Sequence, residues 1–315
     1  NIYICNYYLQ INTIKIMNNA TFFFNQPKNE PVFSYAKGSK ERELLSKELE
    51  KQYNQCIEIP IIINGKEIRT GNVSEVVMPT EHSHVLAKFH KADKETVQKA
   101  IEAALEARKQ WENVHWIDRC SIMLRAAELL AGKYRYVINA ATMLGQGKNP
   151  FQAEIDSACE TIDFLRFNVH YASKIYAQQP LSDNSAINRL EYRGLEGFVY
   201  AISPFNFTSI ACNLNISPVL MGNVTVWKPA TTAVLSNYYL MKILQEAGVP
   251  DGVINFVPGD GSVISDVCFS SKDLAGVHFT GSTRTFNNFW KLIGDNINNY
   301  KAYPKIVGET GGKDF

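Results

Sequence analysis

GFVYAISPFNFTSIACNLNISPVLMGNVTVWKPA, residues 197–230, decides the fold class. An apolar run, Phe198–Ile202, breaks at Ser203-Pro204, and a second, Val224–Trp227, breaks at Lys228-Pro229. The rhythm continues with Val253–Val257, Ala275–Phe279 and Lys305–Val307. Between the second and third runs, Leu235, Leu240, Ile243, Leu244 and Ala247 keep helical spacing and stop at Gly248 with Pro250 beyond, a helix ending followed by a breaker. Short apolar runs alternating with helices predict an α/β fold with a doubly wound, largely parallel sheet. Ligands in such folds lie beyond the carboxyl ends of the strands, so the loops after each run are the places to search.

Outward from this core, residues 30–174 read as an amino-terminal helical region. Asp93 is placed to cap a helix carrying Val97, Ala100, Ile101, Ala104 and Leu105 on one face. A second helix is expected from about Asp118 to Leu130 and a third from Gln152 to Ser173. Residues 175–196 read as an extended ribbon that serves oligomerisation, and 197–315 as a Rossmann-like core. Residues 1–29 read as an unstructured leader. The chain does not begin with Met, and residues 1–16, upstream of Met17, read as sequence outside the native protein.

A net charge of +1 favours neither nucleic acid nor an anionic membrane surface. No run of about 18 apolar residues suggests a span. The six cysteines are scattered without a CxxC pair, which argues against a zinc ribbon or a disulfide framework and suits a reducing, intracellular compartment. His82-Ser83-His84 reads as a polar loop after Pro79 rather than a metal pair, and no metal site is expected.

Each strand-end loop carries two readings. Asn206 in Ser203-Pro204-Phe205-Asn206-Phe207 suits an oxyanion donor or an ordinary turn. Lys228 suits a ribose or phosphate contact or a plain surface lysine. Pro258-Gly259-Asp260-Gly261 lacks the third glycine of a dinucleotide fingerprint and reads as a tight turn. Gly281-Ser282-Thr283-Arg284-Thr285 opens a helix, so its N–H groups suit a phosphate, or Ser282 or Thr283 simply caps. Glu309, between glycines in Gly308-Glu309-Thr310-Gly311, suits a general base or a turn acid.

Taken together, SPFNF, WKP, FTGST and GETGGK in this order resemble the aldehyde dehydrogenase superfamily over Glu30 to Phe315. NEPVFSYAKGSKER (29–42), GQGKNPFQAEIDSACETIDFLRFN (145–168) and YRGLEGFVYAISPFNF (192–207) are similar to its L-glutamate γ-semialdehyde dehydrogenase branch. The resemblance implies NAD as cofactor, with Lys228 on the adenosine ribose, Ser203 in the cofactor-lining loop, and Gly281, Ser282, Thr283, Arg284 and Thr285 on the pyrophosphate and nicotinamide side. It implies catalytic roles for Asn206 as oxyanion donor and Glu309 as the base for thioester hydrolysis. Phe207 matches an aromatic wall of the aldehyde pocket, and Glu160 a group near the substrate amine. Thr231, where many relatives carry Glu, leaves the choice between NAD and NADP open. None of the six cysteines stands in the nucleophile's context, so residues 1–315 alone are expected to lack turnover, with the catalytic domain mostly missing. Other implied properties are a small aldehyde substrate, no nucleic-acid or membrane partner, a homo-oligomer at full length, and an intracellular site: cytoplasmic in bacteria, mitochondrial in eukaryotes. The competing readings are another semialdehyde dehydrogenase, such as one for succinate semialdehyde, and a non-catalytic nucleotide-binding module.

Overall fold

A computed structural model describes residues 24–311. The leader readings that concern residues 1–23, and Gly312–Phe315 of the last motif, lie outside the described residues.

The chain reaches Ala36 without regular secondary structure and enters α1 (Lys40–Tyr53), whose cap Ser39 accepts from the Arg42 N–H. Five strands follow: β1 (Ile57–Ile59), β2 (Ile61–Ile63), β3 (Lys66–Ile68), β4 (Val73–Met78) and β5 (Glu81–His90). The sequence reading as mostly helical misses them. Their signal is local: Asn64-Gly65 turns β2 antiparallel onto β3 with φ of 50° and 71°, the left-handed pair that two-residue hairpin turns require. His82-Ser83-His84 belongs to β5 rather than a loop. His84 stacks on Tyr53 at 4.0 Å and bonds its carbonyl at 2.8 Å.

Helices then dominate: α2 (Lys94–Trp111, capped by Asp93), α3 (Trp116–Ala131), α4 (Arg135–Gln146) and the short α5 (Pro150–Ala153). A π-helical turn, Glu154–Glu160, leads into α6 (Thr161–Tyr176). The third expected helix is therefore real but interrupted by an i→i+5 segment, a form often found at functional sites. No residue between 177 and 197 is in a strand. The segment still doubles back, because the Gln179 amide bonds both backbone groups of Leu190 and the Ser182 hydroxyl bonds both of Asn188. Side chains replace the ladder of a hairpin.

The remaining elements alternate as expected: β6 (Phe198–Ile202), α7 (Thr208–Leu220), β7 (Thr225–Lys228), α8 (Val234–Ala247), β8 (Ile254–Phe256), α9 (Gly261–Ser270), β9 (Leu274–Gly281), α10 (Thr283–Asp295) and β10 (Lys305–Thr310). Gly248 closes α8 with φ 101°. The sheet order is β10-β9-β6-β7-β8-β2-β3, parallel from β10 to β8 and antiparallel through β2 and β3. β1, β5 and β4 form a second, small sheet. All five residues of β6 are buried, as a central strand covered on both faces must be. One helix group packs as α7 with α3, α6 and α8; another as α2 beside α9.

Two charged clusters are sealed inside this frame. Arg119, 4% exposed, donates to the carbonyls of Leu220, Trp111 and Val114 and to the Tyr176 hydroxyl. It meets carbonyls at the ends of two helices, where partial negative charge collects. Arg135 and Glu154, 1% and 0% exposed, form a bridge that Tyr35, Asn139, Glu30 and the Phe33 N–H complete. Burial pushes the Glu154 carboxyl up, but the bonds from Arg135, Tyr35 and Phe33 bring it below the ordinary range. This cluster straps the entering segment to α4 and the π-helical turn. Removing one member leaves a buried charge unpaired, so Glu154→Ala is expected to cost about 3–5 kcal/mol of stability. Chemical denaturation measures it, and a loss below about 1 kcal/mol contradicts the strap.

Candidate active site

Strands β6, β7 and β8 step across the sheet in one direction, and the chain then crosses back to place β9 and β10 on the other side of β6. The order reverses between β6 and β9, and in such sheets ligands bind beyond the carboxyl ends of the strands at that point. The loop after β6 carries Ser203, Asn206 and Phe207; the end of β9 carries Gly281 and leads to Ser282. The fold thus brings to one edge the loops singled out in the sequence.

The first turn of α7 is the polar centre of that edge. Phe207 occupies its cap position and supplies no side-chain bond. Asp156, from the π-helical turn, does the capping instead: Oδ2 accepts from the Thr208 N–H at 3.1 Å and Oδ1 from the Ser209 N–H at 3.0 Å. Lys148 donates to Asp156 at 2.6 Å and lies 4.1 Å from the Phe207 ring centre. The Ser209 hydroxyl donates to Glu160 at 2.7 Å. Phe207 and Asn206 face solvent. Glu160, Asn206 and Phe207 are residues the sequence singles out; Asp156 and Lys148 are not. The available signal was the acid spacing in EIDSACE and the Asn149–Gln152 capping box that presents Lys148 beside it.

Glu309 is inside β10, paired with Thr280 of β9, not in a loop after the strand. The run predicted to end at Val307 continues to Thr310, because the backbone pairs with β9 in unbroken register from Lys305 to Thr310. The Thr280 hydroxyl donates to Glu309 at 3.3 Å, and the carboxylate is exposed. A Cβ at Gly308 would fall 2.2 Å from the Phe286 ring, so a glycine lets α10 lie against β10. Burial raises the Glu160 carboxyl above its ordinary value; the Ser209 bond and Lys148 oppose this, while Asp156 and Glu309 add to it. Glu160 and Glu309 therefore share one electrostatic environment.

On the other flank, Lys228 ends β7 and its side chain lies over Gly261, with Cε 3.7 Å from a Cβ built there. Burial lowers the Lys228 ammonium below its usual value, with Asp260 opposing. Ser203 is turned inward: its hydroxyl accepts from the Trp227 indole at 3.0 Å. The Pro258–Gly261 turn delivers the chain to α9. Ser282 caps α10, accepting from the Thr285 N–H at 3.2 Å, so the capping reading describes its side chain. Thr283, Arg284 and Thr285 are exposed on that first turn. Thr231 opens a 3-10 turn before α8 and is exposed. Lys228 and Glu309 stand three strands apart, roughly 14 Å at about 4.8 Å per spacing. Among the described residues, no group of three or more His, Cys, Asp or Glu is placed to hold a metal ion.

A model of the aldehyde dehydrogenase family matches residues 67–315. The chain belongs to that family. A delta-1-pyrroline-5-carboxylate dehydrogenase of Agaricus bisporus is 53% identical over 298 residues, 94% of this chain and 54% of the relative. The mitochondrial enzyme of the same name from Homo sapiens is 48% identical over 287 residues, 91% of this chain and 51% of the relative. The crystal structure of the Mycobacterium tuberculosis delta-pyrroline-5-carboxylate dehydrogenase bound with NAD superposes with a TM-score of 0.92 at 48% identity, covering 94% of this chain and 56% of that one. The chain spans about half the length of the curated relatives it matches.

The raised Glu160 carboxyl gives a pH signature. A group whose folded pKa is raised contributes stability below its unfolded value and loses it as the pH rises through the folded one. Glu160→Gln cannot ionise, so its Tm relative to the parent is expected to rise between about pH 4 and about pH 7. Thermal unfolding at the two values checks this, and an unchanged difference contradicts it.

Proposed function

We propose that the chain is the cofactor-binding half of an NAD-dependent dehydrogenase. Its reaction is the oxidation of L-glutamate γ-semialdehyde, derived from pyrroline-5-carboxylate, to L-glutamate, the second step of proline degradation. The observation that carries this reading is the convergence of the Asn206 loop, Glu309 and Lys228 on one sheet edge, in a chain about half identical to relatives of that name.

The residues present fit the cofactor. A poorly solvated Lys228 ammonium beside the start of α9 suits a ribose hydroxyl or a phosphate oxygen, and the exposed first turn of α10 suits the diphosphate. NAD supplies the hydride acceptor. The nucleophilic thiol is assigned to the remainder of the enzyme. Cys120, Cys159 and Cys212 are buried with thiols pushed up to about 12, and Cys268 is raised further by burial. Such thiols stay protonated and are poor nucleophiles. In this reading the Asn206 amide donates to the oxyanion when the thiol adds to the aldehyde. Phe207 walls the pocket, and Glu309 takes a proton from the water that hydrolyses the thioester. The same reading assigns the ribbon 175–196, with Leu181 93% and Ile187 78% exposed, to a homo-oligomer contact. It places the enzyme inside the cell, in mitochondria where the source is eukaryotic.

The test uses the enzyme that contains this chain. Asn206→Ala is expected to slow the first, NADH-forming turnover by about 10²–10³-fold. Glu309→Gln is expected to release about one NADH per site and then stall, because the thioester accumulates. Rapid-mixing absorbance reads both, and continued turnover by Glu309→Gln would refute its role. L-glutamate γ-semialdehyde is expected to outcompete succinate semialdehyde in kcat/KM; the reverse order assigns a different substrate.

A further inference from the structure

We infer that Asp156, held by Lys148, is a positioning residue for this reaction, fixing the loop that carries Asn206 and Phe207. The inference rests on the functional reading above. Asn206 is exposed and sits in a five-residue connection between β6 and α7. Its aim therefore depends on what holds the two ends. The β6 end is held by the Ser203 N–H bonding the Lys228 carbonyl at 3.2 Å. The α7 end begins with Phe207, which offers no capping atom. The first N–H groups of α7 would be unsatisfied without a carboxylate delivered from elsewhere.

Asp156 is that carboxylate, 1% exposed and 52 residues away from Thr208 in sequence. Both oxygens are used, one on each of two successive N–H groups, so the carboxylate fixes the direction of the helix start as well as its charge balance. Lys148 completes the clamp: its ammonium bonds Asp156 and lies over the Phe207 ring. One cation thus ties the pocket wall to the cap. Thr208 is further pinned through its hydroxyl to Thr142, Gln146 and Ser236.

The clamp has a rigid base. Asp156 lies two residues after Glu154, which is locked to Arg135 and the entering segment, and the following residue, Ser157, donates to Asn139 at 2.8 Å. The π-helical turn presents Glu154 to the strap and Asp156 to α7. A displacement of about 1 Å in a positioned donor can cost about 10²-fold in rate, so loss of the clamp is felt in the chemistry even when the fold survives.

The test is a double-mutant cycle in the enzyme containing this chain. Asp156→Asn is expected to slow the first-turnover NADH burst at least 10-fold per active site, with burst amplitude giving the site count. Lys148→Met is expected to raise KM for the aldehyde several-fold, with NAD affinity unchanged. In an Asn206→Ala background, Asp156→Asn is expected to add less than about 3-fold, because the donor it aims is gone. Amide exchange at Thr208 and Ser209 is expected to accelerate at least 10-fold in Asp156→Asn. Where Asp156→Asn does not fold, Lys148→Met in the same Asn206→Ala background carries the cycle. Fully multiplicative losses, or an unchanged burst in a parent enzyme that does burst, overturn the positioning role and leave the function standing. A parent with no aldehyde-dependent burst overturns the function, and with it this inference.

Discussion

A parallel sheet covered on both faces is mainly apolar along its strands, and a polar side chain there needs a partner. β6, β7 and β8 bury Tyr200, Trp227 and Phe256, while the buried Thr225 hydroxyl donates to Asn215 at 2.9 Å and the buried Asn255 amide to the Gly252 carbonyl at 2.7 Å. Chemistry is thereby forced to the strand ends, and the reversal of strand order between β6 and β9 decides which ends diverge enough to admit a ligand. Everything the candidate site contains follows from that constraint. Asn206 and Lys228 stand just past buried strand interiors. Glu309 stands near the carboxyl end of β10, paired with Thr280 of β9.

Among the described residues, the buried charges Arg119, Arg135, Glu154 and Asp156 are neutralised in three different ways. Arg135 has a carboxylate, Arg119 has backbone carbonyls and a phenol, and Asp156 has two helix N–H groups and Lys148. Isolated buried charges are costly, and paired ones are worth little net stability unless their geometry is complete. Arg119 ties the ends of α2 and α7 beside Tyr176, which stacks on Trp116 at 4.8 Å and meets Tyr192 at the base of the ribbon. Arg135 ties the entering segment to the same helical region. The helical layer is held in register by directional bonds as well as by apolar contact.

The alternating half of the chain was legible because period and punctuation agreed: each run ends at Pro or Gly, and Gly248 closes α8 as its spacing requires. The stretch 57–90 was less legible. Its strands are three to ten residues long and alternate imperfectly, so helical neighbours on either side dominated the reading. Only Asn64-Gly65 marked the hairpin. The end of β10 was misread because polar residues in an edge strand look like a loop. In the site, residues with a local motif were found. Asp156 and Lys148 were not, because their contacts span 52 and 59 positions, from 156 to 208 and from 148 to 207, and one sequence carries no mark of them.

The three carboxyls around α7 illustrate how burial sorts chemically similar groups. The helix terminus and Lys148 supply enough positive potential to hold one anion, and Asp156, with both oxygens bonded, takes it. Glu160 is pushed up chiefly by burial, with Asp156 and Glu309 adding to the shift and the Ser209 hydroxyl and Lys148 opposing it. Glu309, on the open edge, keeps solvent around it. In the proposed reaction the exposed member is the one assigned to water, and the most buried is the one assigned to hold the helix start.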